Sequence, residues 1–241
     1  ESSKEFAKDL MARYGIPTAG YRAFTDYEAA RAYVAARPFP AVLKYDGLAA
    51  GKGVVIAQTM EEADEALRQM LLDDKFGEGK VVVEDFLEGP EFSLLCFVSG
   101  RRVWPMVLSQ DHKRAYDGNQ GPNTGGMGAV APNPYYTKEI AAECMENIFL
   151  PTIRAMKAEG RPFRGCLYFG LMLTKNGPKV VEYNCRFGDP ETQVVLPLLS
   201  SDLLSVMQAT TNGTLKDVNV AFSTDSACCV CLLYTSPSPR D

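Results

Sequence analysis

The sequence predicts an α+β fold, and three features carry that reading. Helix starts are written as capping boxes at Ser2-Ser3-Lys4-Glu5, Thr25-Asp26-Tyr27-Glu28 and Thr59 to Glu62, where a side-chain oxygen accepts from a free backbone N–H and a glutamate reaches back. Apolar runs come in pairs joined by short turns, Glu91 to Val98 with Arg102 to Leu108 and Gly165 to Thr174 with Lys179 to Asn184, the pattern of antiparallel hairpins. The chain has 241 residues, 46% apolar and 23% charged, enough for one large domain or two modest ones with a real core.

Behind the first box, Phe6, Leu10 and Tyr14 recur at helical spacing until Gly15-Ile16-Pro17 stops the helix. The second box opens a helix that ends before Pro38. Ala41 to Tyr45 is a short apolar strand carrying Lys44, and the loop Asp46 to Gly53 leads into a strand at Val54 to Ala57. The third box opens a helix running to about Asp73, and Lys80 to Phe86 is a strand. Ser109 to Pro134 is rich in Gly, Asn, Asp and Pro and is expected to be irregular; so long a segment inside a domain is usually functional or disordered. Lys138 to Ala158, Glu191 to Leu199 and Asp202 to Thr211 read as helices, and Cys228 to Leu233 as a last strand. Residues 232–241 are small, polar and Pro-rich and are expected to be a scar rather than native sequence. The start at Glu1 rather than Met predicts a truncated beginning with no signal peptide.

Composition narrows the chemistry. A net charge of −5 does not suggest a nucleic-acid surface. No apolar run approaches the roughly 20 residues a membrane helix needs. Seven cysteines without paired CxxC motifs argue against a disulfide framework or zinc site, and a reduced, cytoplasmic compartment is expected. A serine-hydrolase triad would have to use the single histidine, His112, and no GxSxG elbow accompanies it. Chemistry is left to Lys, Arg, Asp, Glu and a metal.

The stretch VVEYNCRFGDPET, Val180 to Thr192, concentrates such groups. Strand alternation puts Glu182 and Asn184 on one face, and a carboxylate with an amide oxygen is a ligand set Mg²⁺ takes beside phosphate oxygens. Arg186 and Asp189 follow in the turn past the strand end. A solvated edge strand with an ordinary turn would explain the same residues. The loop Gly47 to Gly53 brings glycines and Lys52 between two strands, suited to a flap over phosphate, although a Gly-rich turn with a solvated lysine is the plainer reading. It is not a Walker A loop, because no Ser or Thr follows the lysine. Lys44, among apolar strand residues, calls for an anionic partner or snorkels at the edge. Glu84-Asp85-Phe86-Leu87 ends a strand and Glu91 begins the next. Such a crossing suits adenine, with Glu91 available to ribose hydroxyls, or is a solvated acidic connection. Gln110 to Arg114 is a donor cluster, and Pro122 to Gly128 a glycine loop able to wrap a small polar ligand. Trp104, Phe169, Met172 and Phe97 read as core.

Taken together, LKYDGLAAGKGVV, VVVEDFLEGPEFS, SQDHKRAYDGNQGPNTGGMGA and VVEYNCRFGDPET resemble the ATP-grasp ligases, and within them the phosphoribosylamine–glycine ligase family. The resemblance spans most of residues 1–231 and implies two α+β subdomains, lid and core, clasping ATP. The lid would be 16–87, and the core 88–231 together with the first helix, 1–15. It implies that Lys44 and Lys52 neutralise ATP phosphates, with Gly51 and Gly53 in the flap. Adenine would be met by the backbone of Glu84 to Leu87, Phe86 included, and ribose by Glu91. Glu182 and Asn184 would hold Mg²⁺ or Mn²⁺, and Arg186 would face the transferred phosphoryl group, with Lys52 and Asp189 also catalytic. Asp111, Lys113, Asn123, Thr124, Gly125, Gly126, Arg186 and Asp189 would contact glycine or 5-phosphoribosylamine.

The implied reaction forms glycyl phosphate and ADP, then glycinamide ribonucleotide and phosphate, in purine biosynthesis. The family normally carries a domain before this region and one after it, so the chain is expected to bind Mg–ATP with little turnover. An extra metal carboxylate found in some ATP-grasp ligases has no counterpart in Leu167 to Leu173, which leaves the number of metals open. Two alternatives stay open: another purine-pathway carboxylate–amine ligase, and a nucleotide-binding module without activity.

Overall fold

A computed structural model describes residues 3–47, 53–73, 79–118, 120–133 and 135–231, with Pro122 and Asn123 given by their backbone alone. Contacts divide the chain into two compact units, Glu1–Glu88 and Gly89–Asp241. Among the described residues, no helix is long and apolar enough to cross a membrane.

The first unit is built on the caps that the sequence announces. Helix α1 (Lys4–Arg13) starts at Ser3, whose hydroxyl accepts from Phe6 N. Strand β1 (Tyr21–Phe24) follows, then α2 (Tyr27–Ala35), capped by Asp26, β2 (Ala41–Asp46) and β3 (Val54–Ala57). Helix α3 (Met60–Leu71) starts at Thr59, and β4 (Lys80–Asp85) completes the unit. The sheet is antiparallel in the order β1-β4-β2-β3. Ala30 and Val34 of α2, with Ala63, Leu67 and Met70 of α3, bury against Leu43, Tyr45, Val81 and Val83 of the sheet. Burying such side chains supplies roughly 1.5–3 kcal/mol each and fixes which sheet face is free for polar groups.

Two expectations change here. The first helix, expected with the larger unit, groups with the smaller one. Its inward face is Lys8, Leu10 and Met11, while Phe6 and Tyr14 are exposed at 39% and 36%. A buried anion on β4, described below, draws Lys8 inward and sets that rotation. Strand β1 was not expected; it is a four-residue edge strand with little apolar pattern to betray it.

The second unit centres on β5 (Glu91–Ser99), which turns through Gly100 into β6 (Arg102–Pro105). The segment expected to be irregular forms four short strands: β7 (Gln110–Asp111), β8 (Arg114–Tyr116), β9 (Gln120–Asn123) and β10 (Gly128–Ala131). Helices α4 (Lys138–Cys144) and α5 (Leu150–Ala158) are joined by a π-helical turn at Met145–Phe149. Pro151 explains the interruption, since it has no N–H and would crowd a carbonyl four residues back in an unbroken α-helix. The hairpin β11 (Arg164–Thr174) and β12 (Gly177–Asn184) then extends the sheet to the order β12-β11-β5-β6. After it come α6 (Thr192–Val195), shorter than expected, α7 (Leu203–Asn212) and β13 (Ala227–Val230). A second sheet, β13-β10-β7, pairs Gly128–Ala131 with residues about a hundred positions later, and β8 pairs with β9. Phe97 and Phe169 are buried as expected, whereas Trp104 on edge strand β6 is 38% exposed.

Candidate functional site

In the first unit, three buried charges meet. Glu84 on β4 takes Lys8 Nζ on one oxygen at 2.7 Å and has Lys44 Nζ of β2 at 2.9 Å from the other. All three residues are at most 4% exposed. Among the described residues Glu84 Oε1 accepts no hydrogen bond, so its contact with Lys44 is an ion pair held by attraction. Lys8 also donates to Thr18 Oγ1 at 2.8 Å. Two ammonium groups thus share one buried carboxylate. Burial accordingly pulls Lys8 down to about 8; Glu84 opposes that shift and Lys44 adds to it.

Close by in the sequence, the N-terminus of α1 rests on Asp46, whose carboxylate accepts from the backbone N–H groups of Lys4 and Glu5 and from Ser3 Oγ. A carboxylate there satisfies free donors and complements the helix dipole. Lys4 Nζ donates to Gly47 O at 3.1 Å, so a second lysine of α1 reaches the start of the glycine loop. Lys4 and Lys8 were missed from the sequence; their four-residue spacing on a helix face was the available signal. Gly53 O accepts from Tyr45 N at 2.8 Å, closing the loop's other end. Gly51 and Lys52 lie outside the described residues. Phe86 is exposed and Leu87 half-buried just past β4.

The second unit gathers carboxylates. Asn184 and Glu182 lie side by side at the end of β12, Asn184 Nδ2 donating to Glu182 Oε1 at 3.3 Å. Across the register Asn184 faces Tyr168, and Glu182 faces Gly170, whose missing side chain leaves room: a Cβ there would come to 3.0 Å from Glu182 Cγ. Lys113 pairs with Glu91 at 2.6 Å and stands 3.7 Å from Asp111. Burial works against the Lys113 charge, but Glu91, Asp111 and Glu182 together hold the ammonium above its ordinary range. Burial pushes Asp111 up to about 6, with Lys113 pulling it back.

The donor cluster and the glycine loop are two sides of one structure. Thr124 N and Oγ1 both donate to Lys113 O, Met127 N to His112 O, and His112 N to Gly128 O. Gly126 N in turn donates to Thr124 Oγ1 at 3.1 Å. Gly126 has φ +128°, and a Cβ there would stand 2.6 Å from Pro190 Cδ, so the loop lies directly against the RFGDPET turn. Gly125 is exposed beside it, and the side chain of Asn123 lies outside the description. In the turn, Arg186 is exposed and donates to Phe187 O at 2.9 Å, and Asp189 accepts from Gln193 Nε2 at 2.7 Å.

A divalent cation fits this arrangement. Glu182 and Asn184 offer a carboxylate and an amide oxygen on one face, and no group of three or more His, Cys, Asp or Glu among the described residues could hold a metal alone. A two-ligand protein site is what Mg²⁺ takes when phosphates and water complete its shell.

The family description "Phosphoribosylglycinamide synthetase, ATP-grasp (A) domain" matches residues 2–192. The chain belongs to this family. It is similar to the phosphoribosylamine–glycine ligase of Listeria monocytogenes, 56% identical over 220 residues, which are 90% of this chain and 52% of that protein. The corresponding Streptococcus pyogenes ligase is 55% identical over 204 residues, 84% of this chain and 48% of that protein. The crystal structure of phosphoribosylamine–glycine ligase from Thermotoga maritima superposes with TM-score 0.82 at 37% identity, covering 88% of this chain and 55% of that one. The chain thus has the ATP-grasp fold and spans about half the length of the curated relatives it matches.

Two measurements check these electrostatics. Glu84→Gln removes the carboxylate that Lys8 and Lys44 share and is expected to cost about 3–5 kcal/mol in urea unfolding, whereas Lys8→Met leaves the Lys44–Glu84 pair in place and should cost far less. Equal losses would contradict the shared-carboxylate geometry. For Asp111, a folded-state pKa near 6, above its unfolded value, means the folded chain holds the extra proton between about pH 4 and 6. Its contribution to stability therefore falls as pH rises through that window. The carboxyl ¹³C resonance of Asp111 should titrate with a midpoint near 6, and Lys113→Met should raise that midpoint.

Proposed function

We propose that this chain carries the ATP-binding and phosphoryl-transfer part of a phosphoribosylamine–glycine ligase. The observation that carries the reading is the meeting of RFGDPET with GPNTGGMG through Gly126 and Pro190, beside the Glu182–Asn184 face. The lysines of the first unit suit phosphate oxygens, and the carboxylates of the second unit suit a cation and an ammonium group. Mg–ATP and glycine bring those charges.

In this reading Lys44 and Lys52 bind ATP phosphates, with Gly51 and Gly53 letting the backbone approach. The backbone from Glu84 to Leu87 meets adenine, and Glu91 the ribose. Glu182 and Asn184 hold Mg²⁺ or Mn²⁺, which supplies charge neutralisation on phosphate oxygens when bound. Arg186 faces the group in transfer. Asp111, Lys113, Asn123, Thr124, Gly125, Gly126 and Asp189 orient glycine and phosphoribosylamine. A glycine carboxylate oxygen attacks the γ-phosphorus and ADP leaves, giving glycyl phosphate. The amine of 5-phosphoribosylamine then attacks the acyl carbon, phosphate leaves, and the amine gives up a proton. Positioning and charge stabilisation dominate such transfers, and no protein nucleophile is required.

The test measures ADP and phosphate release with ATP, Mg²⁺, glycine and fresh phosphoribosylamine, each omitted in turn. It is run beside calorimetry of Mg–ATP so that binding and turnover are scored separately. Glu182→Gln and Asn184→Leu should each weaken Mg–ATP binding on the order of tenfold, about 1.4 kcal/mol, with unchanged thermal unfolding. Unaltered affinity in both would remove the metal assignment. Release that ignores glycine would remove the ligase reading, and Mg–ATP binding without any release would leave a nucleotide-binding module.

A further inference from the structure

Glu191, the glutamate of RFGDPET, is 3% exposed, and the reaction above gives it no task. Its Oε1 accepts from the Tyr168 hydroxyl at 2.9 Å. The same hydroxyl is 2.6 Å from Ser93 Oγ. Ser93 and Tyr168 are 1% and 4% exposed. A continuous buried chain therefore runs from β5 through β11 to the turn after β12. Ser93 in turn exchanges backbone hydrogen bonds with Ser109, immediately before Gln110 and Asp111.

At the turn, Glu191 is packed so closely on Gly188 that any Cβ there would collide with Oε2. Thr192 Oγ1 and N both donate back to Gly188 O, and Gln193 Nε2 to Asp189 Oδ1. Phe187 packs edge-on against Phe97 with centroids 6.3 Å apart. Arg186 and Asp189 stand on backbone whose place is set by their neighbours, and the deepest of those attachments is the Tyr168–Glu191 hydrogen bond.

We propose that Tyr168 and Glu191 are positioning residues: their buried hydrogen bond fixes the turn that presents Arg186 and Asp189. The proposal rests on the reading of that turn as the part facing the transferred phosphoryl group. A buried carboxylate is costly unless it is hydrogen-bonded, and the Tyr168 hydroxyl on strand β11 is a directed donor to it. Holding reacting partners in place matters most when charge is moving, so loss of the tether should be felt by the group in transfer rather than by bound nucleotide.

The experiment compares Mg–ADP alone with Mg–ADP plus aluminium fluoride, a mimic of the phosphoryl group in flight, in calorimetry of the 241-residue chain. Tyr168→Phe and Glu191→Ala should weaken the fluoride complex at least tenfold while changing Mg–ADP affinity less than twofold. Glu191→Gln, which keeps an acceptor for Tyr168, should stay within about threefold of the parent for both. Equal weakening of both complexes, or of neither, overturns the proposal. If the parent chain binds no Mg–ADP, the functional reading fails by itself, and NMR of the ligand-free chain decides this one. Tyr168→Phe should then shift or broaden the Gly188 amide and the Arg186 Nε–H while leaving Gly100, at the far end of β5, unmoved. Unmoved Gly188 and Arg186 signals overturn it.

Discussion

One irregularity in strand pairing sets up the second unit. Opposite β12, the register runs Tyr168 to Asn184, Phe169 to Tyr183 and Gly170 to Glu182, then steps over Val181 so that Leu171 faces Val180. Without that extra residue, alternation would put Val180 on the same face as Glu182 and Asn184. With it, Val180 joins Phe169, Leu171 and Tyr183 on the other face, fully buried, while the two oxygen donors keep theirs. The bulge reconciles a strand that must be hydrophobic enough to pack with a strand end that carries polar side chains. The packed face is further pinned, since Tyr183 OH lies 2.9 Å from Thr152 Oγ1 on α5 and its ring meets Phe169 edge-on. Gly170 then matters for what it lacks, since it is the residue opposite Glu182.

Each unit gathers a cluster of charged side chains. Around Glu84 there are two lysines for one carboxylate; around Lys113 there are Glu91 and Asp111 for one ammonium, with Glu182 also acting on it. Removing one member of a buried cluster leaves a charge uncompensated, which is strongly unfavourable.

Much of this was legible in the sequence because it rests on local rules. Ser3, Asp26 and Thr59 cap helices within a residue of where the boxes place them, and both hairpins form where apolar runs flank a short turn. Glu182 and Asn184 share a face by simple alternation. What was not legible depends on distant partners. Strand β10, GAVA, is glycine-initiated and gains its identity from β13, far along the chain. The inward face of α1 was misread because lysine ordinarily faces water, and it takes Glu84, nearly eighty residues later, together with Thr18, to make an inward Lys8 tenable. Tyr168, in an apolar strand, has a core ring, but its hydroxyl has a second purpose that no pattern of hydrophobicity records.

The same contrast explains why the RFGDPET turn is so densely tied. The turn carries a guanidinium and a carboxylate that are exposed, so burial of those two groups does not fix it. The neighbours of Arg186 and Asp189 are tied to the core. Phe187 is anchored by aromatic packing, Gly188 by the oxygen acceptor and the close approach that only glycine permits, and Glu191 by a hydroxyl reaching up from β11. Fixing a backbone residue costs about 1–2 kcal/mol of conformational entropy at each position. Helix α6 begins at Thr192, so Glu191 joins the ordered helix start to the turn. Short α6, only Thr192–Val195, gains little from its own hydrogen bonds. Its place therefore depends on Val194 and Val195 in the core and on Glu191 below, which makes the turn's geometry a property of the sheet beneath it.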